Sequence, residues 1–171
     1  MIDYVKQILA GQFEASLCML NECVRRCPRE HWDGKIAYYP FWQVAYHTLT
    51  FADYYLSPGE AAFRPRDFHP PQVPGELFND EPARAGGFTS KELSDYAAVC
   101  HRKMVEAFAA ESSQSLQGPC GFRGRPISRG ELHIYNLRHI QHHTGQLSAY
   151  LRRVDPTIDP KWVTSGFCQV K

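Results

Sequence analysis

Long apolar runs, a strong excess of charge and runs of basic residues are all missing from this sequence. None of its apolar stretches approaches the ~20 residues that a membrane-spanning helix needs. Its 19 basic and 18 acidic residues leave a formal net charge of +1, which gives no excess of positive charge to attract nucleic acid or an anionic membrane. The N-terminus has neither the basic nor the apolar region of a signal peptide. We therefore expect a cytoplasmic protein without a nucleic-acid or membrane partner.

The six cysteines do not have the spacing of a zinc ribbon or of a redox C-x-x-C motif. Cys18, Cys23 and Cys27 fall in one predicted helix, at spacings of five and four residues. We expect most of the six cysteines to be buried free thiols of a reducing compartment rather than a disulfide framework. Cys23 and Cys27 lie one helical turn apart and remain an alternative pair of metal ligands.

Sustained strand alternation is absent as well, and four segments show helical periodicity instead. The third and fourth of these segments begin with capping boxes, formed by Thr89 with Glu92 and by Ser128 with Glu131. The four helices are predicted at about residues 2–26, 40–57, 89–111 and 128–154.

A chain of 171 residues with this pattern is expected to form a single all-α domain, a four-helix bundle. The short link between the first two helices favours an antiparallel pair. The proline-rich loop 58–88 is long enough to run back along the bundle and to start the third helix parallel to the second. This loop would either cover one end of the bundle as a lid or form a solvated insertion. We expect the C-terminal tail, residues 155–171, to dock on the domain.

The segment 117–124 is rich in glycine, but it has neither the spacing of a phosphate-binding loop nor a preceding strand. It is expected to form a turn.

Four of the eight histidines fall within residues 133–143. His139 and His143 are spaced i,i+4, which places both imidazoles on one helical face, one turn apart, as a metal ion requires of two ligands. Ile140 stands where a zinc-protease helix would have glutamate, which argues against peptidase chemistry. His47 lies in the middle of the second helix, at a depth similar to that of His143, so the three rings can share one level of the bundle. A lone histidine in such an apolar helix is also compatible with a buried core residue.

The sequence from His139 to Leu147, HIQHHTGQL, resembles the H-x-x-x-H-R-G-Q-[IL] signature of the DinB/YfiT-like superfamily, and His47 matches the remaining ligand of that family. The resemblance covers about residues 2–153, including the long linker. It implies a bundle of up-down-down-up topology that binds one divalent metal ion, zinc or nickel, through His47, His139 and His143. Thr144 stands where the family commonly has arginine, which puts any role of that arginine in doubt.

Two glutamines and one further histidine are expected beside these ligands. Gln146 lies one turn after His143 and Gln43 lies one turn before His47, so each is placed to hydrogen-bond a ligand ring and fix its tautomer. His142 points about 100° away from His143 and is expected next to the ligands or at the surface.

The remaining histidines and carboxylates have weaker claims. His101 is the reserve ligand, and His133 is expected to be structural, whereas His31 and His69 fall in loops. Asp53 and Glu131 are the nearest carboxylates in sequence that could act as a general base, but neither has a clear claim, so the catalytic residues remain unknown.

Three neutral imidazoles leave a coordination position of the metal open, as in catalytic zinc sites. Such a position lowers the pKa of a bound water or holds a thiol as thiolate. By resemblance, the leading expectation is a metal-dependent S-transferase, in which the metal-bound thiolate of a low-molecular-weight thiol attacks a small-molecule electrophile. A hydrolase that uses metal-bound water and a non-catalytic, stress-associated metal-binding bundle are the alternatives. The family also implies a homodimer.

Overall fold

The computed structural model describes residues 1–67 and 87–166, and these residues are mostly helical. The four long helices agree with the predicted segments to within one residue at each end: α1 (Ile2–Arg26), α2 (Phe41–Leu56), α3 (Ser90–Ala110) and, last in the chain, α5 (Arg129–Val154). A short helix, α4 (Ser113–Gln117), follows α3 and was not predicted. In the two described ranges, no helix has the length and apolarity needed to cross a membrane.

Both predicted capping boxes are confirmed. The Thr89 hydroxyl accepts a hydrogen bond from the Glu92 backbone N–H, and the Glu92 carboxylate accepts one from the Thr89 N–H at 2.7 Å. Ser128 and Glu131 make the same reciprocal pair at the start of α5. Each pair satisfies backbone donors that the first turn of a helix leaves without an intrahelical partner.

A small antiparallel hairpin precedes α2. Its strands are β1 (Lys35–Ile36) and β2 (Tyr39–Pro40), which are too short to give a recognisable alternation in the sequence. Ala37 in the turn has a φ of +55°, a left-handed conformation that is unusual for a residue other than glycine. A Cβ added to Gly34 would lie 1.8 Å from the Tyr150 hydroxyl oxygen, so the base of the hairpin packs closely on α5 because residue 34 has no side chain.

The long helices contact one another in an order that differs from their order in the chain. Helices α1 and α2 each pack against both α3 and α5. Ser90 at the start of α3 donates a hydrogen bond to the Val24 carbonyl near the end of α1, at 3.0 Å, and Lys6 donates to the Ala109 carbonyl, at 2.8 Å. Helices α1 and α3 therefore run in opposite directions.

Contacts of α2 fix the directions of its two neighbours. Arg129, the first residue of α5, donates to the Ser57 carbonyl just after α2 at 2.7 Å, so α2 and α5 run in opposite directions. Phe88, just before α3, stacks on Tyr46, whereas Lys103 further along α3 donates to the Ser57 hydroxyl. Helices α2 and α3 therefore run in the same direction.

The main core lies between the four long helices, and its apolar side chains come from all of them. In α1 the buried apolar residues recur every three or four positions, as an amphipathic helix requires. The largest fully buried side chains of this main core are Phe13, Leu17 and Leu20 from α1, Phe41, Tyr46, Leu49 and Leu56 from α2, and Leu93, Tyr96 and Met104 from α3.

The cysteines agree only in part with the sequence predictions, whereas the described part of the C-terminal tail docks on the domain as expected. Among the described cysteines, four are free thiols, as expected of most of them, but Cys18 is disulfide-bonded, which the spacing of the cysteines did not indicate. The Gly166 N–H donates to the Gly11 carbonyl at 3.1 Å, which docks the described part of the tail on α1. Most of the proposed lid (residues 68–86), Cys168 and His69 lie outside the described residues.

Candidate metal centre

Three histidines meet at the seam between α2 and α5. His47 comes from α2, and His139 and His143 come from successive turns of α5. All three are half-buried, so the cluster lies at the edge of the helical core rather than inside it. His47 is partly exposed because the face of α2 that carries His47 and Phe51 borders the seam, whereas most other α2 residues face the core.

The ring nitrogens of the three histidines converge. The Nε2 atom of His47 lies 3.0 Å from the Nε2 atom of His139 and 3.0 Å from that of His143. The donor atoms of the three residues all lie within 4.8 Å of one another. Residues 1–67 and 87–166 contain no other group of three or more His, Cys, Asp or Glu side chains with this property.

These separations suit a metal ion bound by imidazole nitrogens. Zinc–nitrogen bonds of about 2.0–2.1 Å place two ligand nitrogens about 2.9 Å apart at a right angle and about 3.3 Å apart at the tetrahedral angle. The two observed separations of 3.0 Å fall within this interval. Three histidines on one side of an ion leave its other side open.

The surroundings keep the three rings neutral. Burial, together with the neighbouring histidines, lowers the pKa of His47 to about 2 and that of His139 to about 3. Burial also lowers the pKa of His143. A neutral imidazole has a lone pair available for a metal, so all three rings are in the ligating form at neutral pH.

Gln146 fixes the tautomer of one ring, as predicted. The Nδ1 atom of His143 lies 2.8 Å from the Gln146 Oε1 atom, which can only accept, so Nδ1 carries the proton and Nε2 keeps its lone pair. The Nδ1 atom of His139 is buried and has no hydrogen-bond partner in the described part of the chain.

Two further residues, His142 and Gln43, were predicted to lie beside the ligands. His142 is exposed, its Nε2 atom lies 3.3 Å from Gln146 Nε2, and its ring packs edge-on against that of His143 with the ring centroids 5.0 Å apart. Gln43 lines a cavity beside His47, but its Nε2 atom is buried without a hydrogen-bond partner among the described residues. The predicted hydrogen bond between Gln43 and His47 is absent from the described part of the structure.

Two different walls flank the histidines. On one side the Phe51 ring lies 5.0 Å from that of His47 and 5.5 Å from that of His139. On the other side is a cavity of about 220 Å³, here called the hairpin cavity. It is lined by Ile36, Ala37, Tyr38, Tyr39, Gln43, Val44, His47, His143 and Gln146. A larger groove of about 580 Å³, between α3, α4 and the start of α5, contains none of the three histidines.

Neither carboxylate considered as a general base reaches the histidines. Asp53 is fully buried and accepts hydrogen bonds from Arg66, Lys103 and Tyr96, which hold it toward α3. Burial acts to raise the pKa of Asp53, but Arg66 and Lys103 outweigh it and keep that pKa below the usual range. Glu131 is exposed and occupied in its capping box.

The reserve ligands also lie elsewhere. His101 is paired with Glu14 across α1 and α3, and His133 bonds to Glu111 through its Nε2 atom at 2.8 Å, which agrees with a structural role. Burial raises the pKa of both Cys23 and Cys27 to about 12, so these thiols are not in the thiolate form that binds metals.

The hairpin side of the site was not predicted from the sequence. Ile36, Tyr38 and Tyr39 are strand-forming residues directly before the helix that carries His47. This short cluster, ended by Pro40, was the only signal, and a run of so few residues does not predict a strand.

Comparisons with known proteins assign no family to this arrangement. The chain matches no protein-family model, no curated protein and no solved structure.

Proposed function

We propose that this protein binds one divalent metal ion, zinc or nickel, through the Nε2 atoms of His47, His139 and His143, and that it is a metal-dependent enzyme of the thiol S-transferase type. The observation that carries the proposal is the convergence of three neutral Nε2 atoms on one point, with two separations of 3.0 Å. With the ring protons on Nδ1, as the Gln146 contact favours for His143, the three Nε2 lone pairs point at one another and repel, and an ion between them would remove this repulsion.

We further propose that the chain is a DinB/YfiT-like bundle of up-down-down-up topology. The directions of the helices support this proposal, because α2 and α3 run the same way while each of them is antiparallel to one of the other two long helices. Thr144, where that family commonly has arginine, is buried on the core face of α5. A charged side chain at this position would need a buried partner.

The protein supplies position and an open side, and the metal supplies the Lewis acidity that stabilises a thiolate at neutral pH. Gln146 holds His143 in the ligating tautomer, and Phe51 covers the other side of the rings from the hairpin cavity. In the transfer, the thiol loses its proton to solvent and its sulfur forms a bond to an electrophilic carbon. The leaving group departs with the electron pair of the bond that breaks.

The residues beside the histidines favour thiol transfer over hydrolysis. Activation of water benefits from a general base that removes a proton during the reaction. No carboxylate of the described chain lines the hairpin cavity, and Asp53 and Glu131 are engaged elsewhere. A thiol ionises far more readily than water and needs no such base once a metal is bound.

The test is the metal content of the purified protein, compared with the triple variant His47→Ala, His139→Ala, His143→Ala. We expect about one zinc or nickel per chain in the native protein, none in the variant and a nearly unchanged helical circular-dichroism spectrum, because all three side chains are only half-buried. His101→Ala is the matched control and should keep its metal, since His101 pairs with Glu14 away from the site.

Metal retained by the triple variant would refute this ligand set, and no metal in the native protein after exposure to zinc and nickel would refute the metal site. With the site established, loss of thiol is followed with the metal-loaded protein, a low-molecular-weight thiol and an alkyl halide. A loaded protein that never accelerates the loss would favour the non-catalytic bundle.

A further inference from the structure

One arginine lies at the end of the seam that carries the three histidines. On α5, Tyr135 precedes His139 by four residues, about 6 Å of helix, and both side chains are half-buried. The guanidinium carbon of Arg125 lies 4.6 Å from the centre of the Tyr135 ring and 5.0 Å from that of the Tyr55 ring. A ligand that contacts both the metal and Arg125 must therefore span on the order of 10 Å.

Aromatic rings line the path between the histidines and Arg125. The Phe51 ring lies 5.5 Å from that of His139 and 5.5 Å from that of Tyr55. The rings of Tyr55 and Tyr135 meet edge to face, with an angle of 85° between their planes. The guanidinium group lies in the angle between these two rings, and cation–π attraction to both of them holds it in place.

The backbone around Arg125 is held by hydrogen bonds within its own loop. The Arg125 N–H donates to the Phe122 carbonyl at 3.3 Å, and the Arg125 carbonyl accepts from the Ile127 N–H at 2.9 Å. The Cys120 N–H donates to the Ile127 carbonyl at 3.1 Å. Arg125 is therefore in position before a ligand arrives, which lowers the cost of ordering it on binding.

Arg125 has no acidic partner in the described part of the chain. Its Nη2 atom donates to the Tyr55 hydroxyl, while its Nε and Nη1 atoms have no acceptor among the described residues. Arg138, 5.9 Å from the Tyr135 ring, adds a second positive charge. A divalent ion on three neutral histidines would add two more. This end of the seam thus attracts an anion, and the free donors of a guanidinium fit the two oxygens of a carboxylate.

We propose that the thiol substrate carries a carboxylate, that its sulfur binds the metal and that Arg125 binds the carboxylate. The inference rests on the proposed function in that the sulfur lies on the metal held by the three histidines. The hydrocarbon part of the thiol then packs along the aromatic rings between its two ends. Arg125 is the residue that selects an acidic thiol over a neutral one.

The inference is tested with two thiols, mercaptohexanoate and mercaptohexanol, which differ only at the end remote from the sulfur. The ¹⁵N-labelled, zinc-loaded protein is titrated with each, and the Arg125 Nε–H signal is followed by NMR. We expect the acid to shift this signal and to bind about 10-fold more tightly than the alcohol, because a charge-assisted hydrogen bond to a half-buried arginine contributes at the lower end of its range.

Two variants keep the result interpretable. Arg125→Met removes the charge and keeps a long side chain, so it should bind mercaptohexanol as the native protein does and lose the preference for the acid. Arg123→Met is the matched control, since it removes an exposed arginine from the same loop, and it should keep the preference. Equal binding of the two thiols by the native protein, or a preference that persists in Arg125→Met, would overturn the inference.

A second measurement separates the inference from the proposed function. In the cobalt-substituted protein, a thiolate bound to the ion gives a sulfur-to-cobalt charge-transfer band, and we expect this band with both thiols in the native protein and in Arg125→Met. The band without a preference for the acid would refute the carboxylate site alone. A preference that depends on Arg125 without the band would refute thiol binding at the metal, and with it the proposed function.

Discussion

At the scale of single residues, His143 combines two contacts that serve opposite ends of its ring. Its Nε2 atom faces His47 at 3.0 Å, while its Nδ1 atom faces the Gln146 carbonyl oxygen at 2.8 Å. The second contact fixes which nitrogen carries the proton, and so it fixes which nitrogen can bind a metal. Partners of this kind commonly change metal affinity when they are removed.

We therefore expect Gln146→Leu to lower metal affinity ~10- to 100-fold while stoichiometric loading stays attainable. Gln146→Glu retains an acceptor oxygen and should bind the metal far more tightly than the leucine variant. The affinities are measured by competition with a chelator of known strength. His101→Ala is the control, because its ring pairs with Glu14 away from the three histidines. Native affinity in Gln146→Leu would show that the tautomer of His143 is not held by this bond.

At the scale of helices and strands, one side chain joins three elements. Arg129, at the start of α5, is buried and donates to the carbonyls of Tyr55, Leu56 and Ser57 at the end of α2. Its Nε atom donates to Glu111, just after α3, at 2.8 Å. These bonds satisfy carbonyls that the last turn of a helix leaves open and balance a buried carboxylate. They also set the level at which α5 meets α2, and hence the level at which His139 and His143 face His47.

We expect Arg129→Met to lower the free energy of unfolding by about 3–5 kcal/mol, since it leaves Glu111 buried without its cation. Arg152→Met is the matched control, because the Arg152–Asp159 pair is exposed and such pairs contribute only about 0–1 kcal/mol. Both values come from urea unfolding followed by circular dichroism. Similar losses in the two variants would contradict the role given to the buried network.

At the scale of the whole molecule, stability depends on buried ionic groups as well as on the apolar core. Burial raises the pKa of Glu111, but hydrogen bonds with His133, Ser115 and Arg129 outweigh this effect and bring the pKa to about 2. The group is therefore ionised in the folded chain at pH values where the unfolded chain binds a proton. The expected homodimer is a further property at this scale and stays a prediction.

The pH dependence of folding follows from this shift. A carboxyl whose folded-state pKa is depressed stabilises the fold above its unfolded pKa, near 4.5, and this contribution is lost as the pH falls toward about 2. We expect Glu111 to account for at most about 3 kcal/mol of the native protein's loss over that window, because solvent screens part of its interactions. Glu111→Gln should be less stable than the native protein above pH 5, and the difference should shrink toward pH 2. Glu106→Gln, an exposed change in α3 five residues before Glu111, is the control, and a constant gap for Glu111→Gln would contradict the assignment.

The sequence by itself determined the four long helices, their capping boxes and the three histidines. These features depend on local rules: apolar residues every three or four positions, side chains that cap backbone donors, and an i,i+4 spacing that puts His139 and His143 on one face. The hydrogen bond from His143 to Gln146 was predictable for the same reason, because both residues lie on one helix.

Only the tertiary structure decided what stands around the histidines. The hairpin cavity, the wall formed by Phe51 and the buried network of Arg129 join residues far apart in the chain, and no periodicity links such residues. Likewise, the spacing of Gln43 predicted a hydrogen bond to His47, but the Gln43 Nε2 atom is buried and has no hydrogen-bond partner among the described residues. Spacing along a helix decides which residues share a face. Packing between elements decides what that face meets.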